Sequence, residues 1–341
     1  MKFQELNNDQ RREMVNTRQR YAALLEAKSK VYQHRGSMVW TQIKGHEYLV
    51  RSSYAKTGIR RQSSLGARSP QTERIKAEYD RGRTEAEQRL AELKVVLNRQ
   101  AAINRAIGLG RVPLTGARII RALDSTGILG LGIWVLGTNA IYAYEAVAGV
   151  QIDPGLTSTE DIDLLFDSRG RLTFAATNDV SEQSLLRILQ KVDHSFQKAA
   201  QTFRAVNREG YLVDLISPMR KPPWRSQQET IGNDPADLVA VQIEGLEWHE
   251  SAPPFEGVAV DEKGEPLRIV TTDPRVWVAH KLWLSKREGR EPIKRRRDEA
   301  QARAVGSLVA QYLPYLSFSQ QDLGMLPSEV IEDARPLFSP S

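Results

Sequence analysis

The stretch from Gly127 to Phe166, GILGLGIWVLGTNAIYAYEAVAGVQIDPGLTSTEDIDLLF, constrains the fold of this chain more than any other. Ile133-Trp134-Val135-Leu136 is a short apolar run with β-branched and aromatic members, the pattern of a buried strand. Gly137-Thr138-Asn139 breaks it, and the apolar segment that follows to Val147 reads as a helix. After a polar loop comes Asp161-Ile162-Asp163-Leu164-Leu165-Phe166, a second strand with two carboxylates at its head. Gly127 to Tyr144 carries no charge over eighteen positions, close to the length of a membrane-spanning helix. Its glycines and Asn139 interrupt it and Glu145 ends it, so strand, turn and helix account for it better than a membrane does.

Side chains alternate faces along a strand, so Asp161 and Asp163 project to one side. Two neighbouring carboxylates repel, and burying them is costly unless a proton or a cation intervenes. A hard divalent cation, which takes oxygen ligands and keeps positions for water and phosphate, suits such a pair. A glycine followed by a hydroxyl residue at the mouth of a helix offers donors to a phosphate. Strand, Gly-Thr, helix, then Asp-x-Asp therefore sets a phosphate cradle of Gly137, Thr138 and Asn139 beside a metal pair.

That order resembles the nucleotidyltransferase superfamily whose familiar member is DNA polymerase β. The matching residues are Leu136-Gly137-Thr138, Asp161-Ile162-Asp163 and, as the third acid on a later strand, Val213-Asp214-Leu215. Thr138 stands where Gly or Ser is usual, and the 22-residue spacer between Thr138 and Asp161 is longer than in compact members. The spacer is similar to that of bacterial AbiEii-like toxin nucleotidyltransferases. The resemblance implies Mg²⁺, with Mn²⁺ as a substitute, held by Asp161, Asp163 and Asp214. It also implies transfer of a nucleoside monophosphate from an NTP to an acceptor hydroxyl. A phage-defence or toxin–antitoxin setting, with an antitoxin protein as partner, is the same chemistry in another context. A non-catalytic binding module on the same core is the competing class, and the presence of all three acids speaks against it.

A second constellation lies near the C-terminus, in His280-Lys281-Leu282-Trp283 and Lys294-Arg295-Arg296-Arg297-Asp298. Lys281 sits among Val276, Val278, Leu282 and Leu284, so its stem is expected to be partly buried and its ammonium to need an anion. AbiEii-like proteins carry a similar lysine and Arg-Asp on consecutive helices, which implies that Lys281 contacts the triphosphate and that Asp298 orients it or acts as a base. A snorkelling surface lysine is the plain alternative. No Gly-Lys-Ser/Thr follows the glycines at 127–132, and His194, His249 and His280 show no metal-ligand spacing.

Charge extends the argument to partners. Between Arg51 and Arg121 there are 16 Lys and Arg against 6 Asp and Glu, while the whole chain is only +6. A concentrated basic region suits a polyanion such as tRNA or another RNA, with Tyr48 and Tyr54 available to stack on bases; a solvated helix face is the alternative. There is no cysteine, so disulfides and thiolate metal sites are excluded, and the N-terminus lacks the apolar run of a secretory signal. The cytoplasm is the expected compartment.

The periodicities predict an α+β protein: a nucleotidyltransferase core of mixed sheet and helices at 106–245, a basic, mainly helical extension with a β-hairpin at 1–105, and a mixed hairpin-and-helix domain at 246–341 that completes the nucleotide site. In the extension, residues 1–35 read as one helix, Met38–Ile43 with Glu47–Arg51 as a hairpin, and Tyr54–Arg68 as a loop with a short strand near Leu65 as the alternative. A long helix from Gln71 to Ile107 follows, with Gly82 as a point of interruption. Helices are expected at Leu114–Leu123 and Glu182–Val192, and hairpins at Phe203–Ile216 and Gly257–Val270. A linker is expected from Ser217 to Pro223, with two last helices to about Arg287 and from Pro292 to Leu313.

Overall fold

A computed structural model describes residues 3–54, 60–167, 184–219, 230–231 and 234–339. Of the linker expected from Ser217 to Pro223, Ser217 and Pro218 instead end a strand, paired with Gln242 and Ile243, and the part after Met219 lies outside these residues, as does the start of the helix expected from Glu182.

The N-terminal third is a helical stalk with a small sheet at its tip. Strand β1 (Gln4–Glu5) pairs with Val150–Gln151 of the core, so the first residues are not helical. Helix α1 (Asn8–Gln33) begins where Asn7 and Gln10 form a reciprocal capping box. Strands β2 (Ser37–Ile43), β3 (His46–Tyr54) and β4 (Arg60–Ala67) form an antiparallel sheet. The segment expected as a loop is therefore in large part a strand, since pairing with β3 outweighs its Gly/Ser/Arg composition. Helix α2 (Pro70–Ala106) starts at the Ser69 cap and runs unbroken for 37 residues, roughly 55 Å. Gly82 does not interrupt it: the His34 ring lies 2.9 Å from where a Cβ would stand. Tyr21, Leu24 and Ala27 of α1 pack on Leu93 and Leu97 of α2. Met38 and Leu49 pack on Tyr79 at one end of α2, while Asn104 at the other donates to the Gly264 carbonyl at 2.9 Å. The sheet is thereby held away from the core.

The core follows: α3 (Leu114–Thr126), β5 (Ile133–Leu136), a 3-10 turn (Gly137–Ala140), α4 (Ile141–Ala148), β6 (Val150–Gln151), α5 (Pro154–Thr157), β7 (Asp161–Phe166), α6 (Leu185–Val192), β8 (Gln197–Lys198), β9 (Arg204–Val206), β10 (Leu212–Pro218) and β11 (Val241–Ile243). The mixed sheet runs β5-β7-β10-β9-β8, with β11 also on β10. β7 is antiparallel to β5 and parallel to β10. The alternation is clean. Val135, Ile162, Leu164, Val213 and Leu215 face the main core, with Ile119, Ile120 and Leu123 of α3 and Ile188 and Leu189 of α6. Each such side chain contributes about 1.5–3 kcal/mol by leaving water. The opposite face carries Trp134, Leu136, Leu165 and Ile216 together with the acids. The charge-free run at 127–144 forms β5, the turn and half of α4, and among the described residues no helix is long and apolar enough to cross a membrane.

The last third adds α7 (Leu246–Ser251), the hairpin β12 (Pro254–Val260) and β13 (Pro266–Thr272), α8 (Pro274–Ser285), α9 (Pro292–Tyr312) and α10 (Ser328–Ala334). Packing does not break at residue 245: Ala259, Leu267 and Ile269 of the hairpin belong to the same apolar cluster as Ile162. Gly257 lies against α4, where a Cβ would come 2.8 Å from the Ala143 carbonyl oxygen. Asp273 caps α8 through the Arg275 N–H at 2.8 Å, and Val276, Trp277 and Ala279 bury against Ala302, Val305 and Leu308 of α9. That packing brings the two C-terminal helices to the end of β5.

Candidate active site

The site forms where β5 stops beside the head of β7. Asp163 pairs in register with Leu136 on one side and with Asp214 of β10 on the other, and Asp161 lies one pleat away on the same face. The Thr159 hydroxyl donates to Asp161 Oδ1. Burial, followed by the charges of Asp161 and Asp214, pushes the Asp163 carboxyl up to about 6, against the pull of Lys281 and Arg290.

Gly137 makes room for that carboxylate. Its φ is +60°, and a Cβ there would stand 2.0 Å from Asp163 Oδ2. Gly137→Ala is expected to cost about 1–3 kcal/mol through the left-handed backbone alone and to displace Asp163 as well. A melt within 1 °C of wild type, with unchanged activity, would contradict this tight fit.

Asp214 is engaged otherwise than as an open ligand. Arg204 on β9, directly opposite it, donates Nε and Nη2 to its two oxygens, both at 2.6 Å. Among the described residues no group of three or more His, Asp or Glu converges to hold a metal. Asp161 and Asp163 share one strand face, and Asp214 is held in its ion pair with Arg204.

Above the acids, α8 supplies Lys281, the connection between α8 and α9 supplies Arg290, and α9 supplies Asp298. Lys281 Nζ donates to Asp298 Oδ1 at 2.7 Å, and Arg290 Nε donates to Asp298 Oδ2 at 2.9 Å. Asp298 is buried and Lys281 nearly so, with side chains 3% and 12% exposed. Lys281 is thus no snorkelling lysine; its Nζ also lies 5.5 Å from the centre of the Trp277 ring. The Trp277 indole N–H donates to the Gly137 carbonyl at 3.1 Å, tying α8 to the turn.

The turn's side chains face inward. Thr138 Oγ1 accepts from Gln301 Nε2 at 3.2 Å, and the Asn139 amide donates to the Asp161 carbonyl at 2.8 Å. Both residues are buried, and these side chains fasten β7 and α9 to the turn; in these bonds the Thr138 hydroxyl accepts and its own proton is not engaged. Arg297, from the basic run, reaches the Ser158 carbonyl on the same side.

A cleft of about 140 Å³ opens on this arrangement, lined by Gly137, Asp163, Lys281 and Arg290 on its polar side and by Leu136, Ile216 and Leu284 among its apolar walls. A family model described as nucleotidyltransferase matches residues 115–323, more than half of the chain. The chain belongs to this nucleotidyltransferase family. No curated protein and no solved structure matches it. The matched region of this nucleotidyltransferase contains every residue lining the cleft, whereas the stalk and its sheet lie outside it. Sequence reasoning missed Arg204, Arg290 and Trp277. Only Arg204 had a legible signal, as the residue facing Asp214 once the 203–216 hairpin is set in register.

Proposed function

We propose that this nucleotidyltransferase moves a nucleoside monophosphate from an NTP to an acceptor hydroxyl. The carrying observation is the pair Asp161 and Asp163 on one strand face, over Gly137, with Lys281 lining the same cleft. The acceptor oxygen bonds to the α-phosphorus as the α–β bridging bond breaks, pyrophosphate leaves, and the hydroxyl proton passes to solvent or a carboxylate. Such a reaction depends mainly on positioning and charge neutralisation, which acids, a lysine and fixed dipoles supply. Burial and the neighbouring charges of Asp161 and Asp214 raise the proton affinity of Asp163, and a divalent cation would offset them. Mg²⁺, or Mn²⁺ in its place, would be held by Asp161 and Asp163 and would supply charge neutralisation. Lys281 binds phosphate, and Asp298, with both oxygens engaged, orients Lys281 and Arg290 instead of acting as a base.

Asp214 joins the acid pair when Arg204 is displaced. Arg204→Ala is therefore expected to lower, severalfold, the Mg²⁺ concentration needed to raise the melting temperature. An unchanged Mg²⁺ midpoint would confine Asp214 to a structural ion pair.

The basic stalk and tip sheet suit an RNA acceptor such as tRNA, bound with a steep salt dependence. Kinship with AbiEii-like toxins, with an antitoxin partner, is proposed on the motif order; toxicity on expression, relieved by a neighbouring reading frame, tests it. Incubation with each α-labelled NTP, Mg²⁺ and fractionated cell extract tests the activity itself. A labelled RNA, protein or small molecule identifies the acceptor class. No labelled species with any fraction would leave the non-catalytic binding module in its place.

A further inference from the structure

The cleft at the acids encloses about 140 Å³, less than the roughly 300–1,000 Å³ usual for sites that take drug-sized molecules. An NTP that sets its phosphates there therefore extends beyond it. Ile243, Leu284 and Arg290, which line the cleft, also line a neighbouring groove of about 620 Å³ along the end of α8. That groove adds Trp283, Lys286 and Arg287. Space for the rest of a nucleotide is thus continuous with the phosphate end of the site.

The groove holds a planar cation in a fixed position. The Trp283 ring is packed by the Trp248 ring at 5.3 Å, edge-on, and by the His280 ring at 5.8 Å. The Arg287 guanidinium carbon stands 4.6 Å over the centre of the Trp283 ring. Arg287 Nη2 also donates to Glu244 Oε2 at 2.6 Å, which holds the guanidinium by its edge. With an indole behind it and a carboxylate at its edge, the Arg287 side chain is still 50% exposed and lines the groove. A guanidinium plane presented in this way is a surface on which a nucleobase stacks.

Charge separates the two ends of the ligand. Lys281 and Arg290 share the single carboxylate of Asp298, which leaves a positive excess for phosphate. Lys286 and Arg287 each have a carboxylate of their own, Asp333 and Glu244, and Glu288 lines the groove as well. Little charge is left there to hold an anion, and a flat, uncharged group suits it better. We propose that the base of the donor nucleotide stacks on the open face of the Arg287 guanidinium, backed by Trp283; this rests on the nucleotidyltransferase reading of the acids. Every base has a π-face, so this platform adds affinity without choosing among bases.

The test measures equilibrium binding of ATP, GTP, CTP, UTP and inorganic tripolyphosphate in Ca²⁺, to wild type, Arg287→Ala and Arg287→Lys. Arg287 is half exposed beyond the end of α8, so both variants are expected to fold. Arg287→Ala should weaken every NTP by about tenfold and leave tripolyphosphate at its wild-type affinity. Arg287→Lys keeps the charge without the plane and should lose most of the same affinity. The Arg287 Nε–H resonance, identified by its absence in the variants, should shift with each NTP and not with tripolyphosphate. NTP affinity unchanged in either variant, a loss shared equally by tripolyphosphate, or a loss confined to one base would overturn the platform and leave the transferase reading standing. Failure of both NTPs and tripolyphosphate to bind wild type would remove the transferase reading, and the platform with it.

Discussion

Asp163→Asn is expected to reduce transfer by about a thousandfold or more and, in chelator, to raise the melting temperature. The first effect follows from its place: Asp163 lies over Gly137, shares a face with Asp161 and lines the cleft with Lys281. The second follows from its proton affinity. Its carboxyl stands at about 6 in the folded chain and at the ordinary 3.8 when unfolded. Between those values the folded state binds more protons than the unfolded one, so stability falls as pH rises through that window and stays lower above it. The penalty at neutral pH is on the order of 1–3 kcal/mol, and the asparagine removes it. Thermal melts between pH 4 and 7 should therefore fall more for wild type than for Asp163→Asn. Mg²⁺ at pH 7 should raise the melting temperature of wild type alone. A variant that is less stable than wild type in chelator would place a structural hydrogen bond where a strained charge is inferred.

Asp298→Ala should be the most destabilising of the single changes at this site. Among the described residues Asp298 is the only carboxylate in a salt bridge with Lys281 or Arg290, and its loss leaves the two cations facing each other with Lys281 largely buried. Breaking a buried pair from one side costs about 3–5 kcal/mol, which for a chain of this size corresponds to a drop of about 4–7 °C. NTP affinity should fall with it, because Lys281 and Arg290 lose the group that aims them. Asp298→Asn keeps two hydrogen-bonding atoms and should lose less of both. A melting temperature within 1 °C of wild type for the alanine variant would mean that the triad is solvated and that Asp298 orients nothing.

The motif was legible because local rules and tertiary structure agree there. Ile133–Leu136 and Asp161–Phe166 have strand periodicity, and Gly137 marks the turn between strand and helix, where its φ of +60° and the nearby Asp163 carboxylate both require glycine. What escaped the sequence depends on partners distant along the chain. Arg204 matters only because hairpin register sets it opposite Asp214. The bonds from Gln301 to the Thr138 hydroxyl and from the Asn139 amide to the Asp161 carbonyl join residues 163 and 22 positions apart. Arg60–Ala67 has loop composition and is a strand because β3 offers it an edge. Gly82 looked like a helix breaker because nothing local announces the His34 ring that needs its space.

The central claim is that Asp161 and Asp163 form a cation-dependent nucleotide site with Lys281. Titration calorimetry with NTP tests it without knowledge of the acceptor, comparing EDTA with Ca²⁺ for wild type, Asp161→Asn and Asp163→Asn. The account predicts binding by wild type that requires the cation and is lost in both variants. Equal NTP affinity in EDTA and Ca²⁺, unchanged by either substitution, would contradict it.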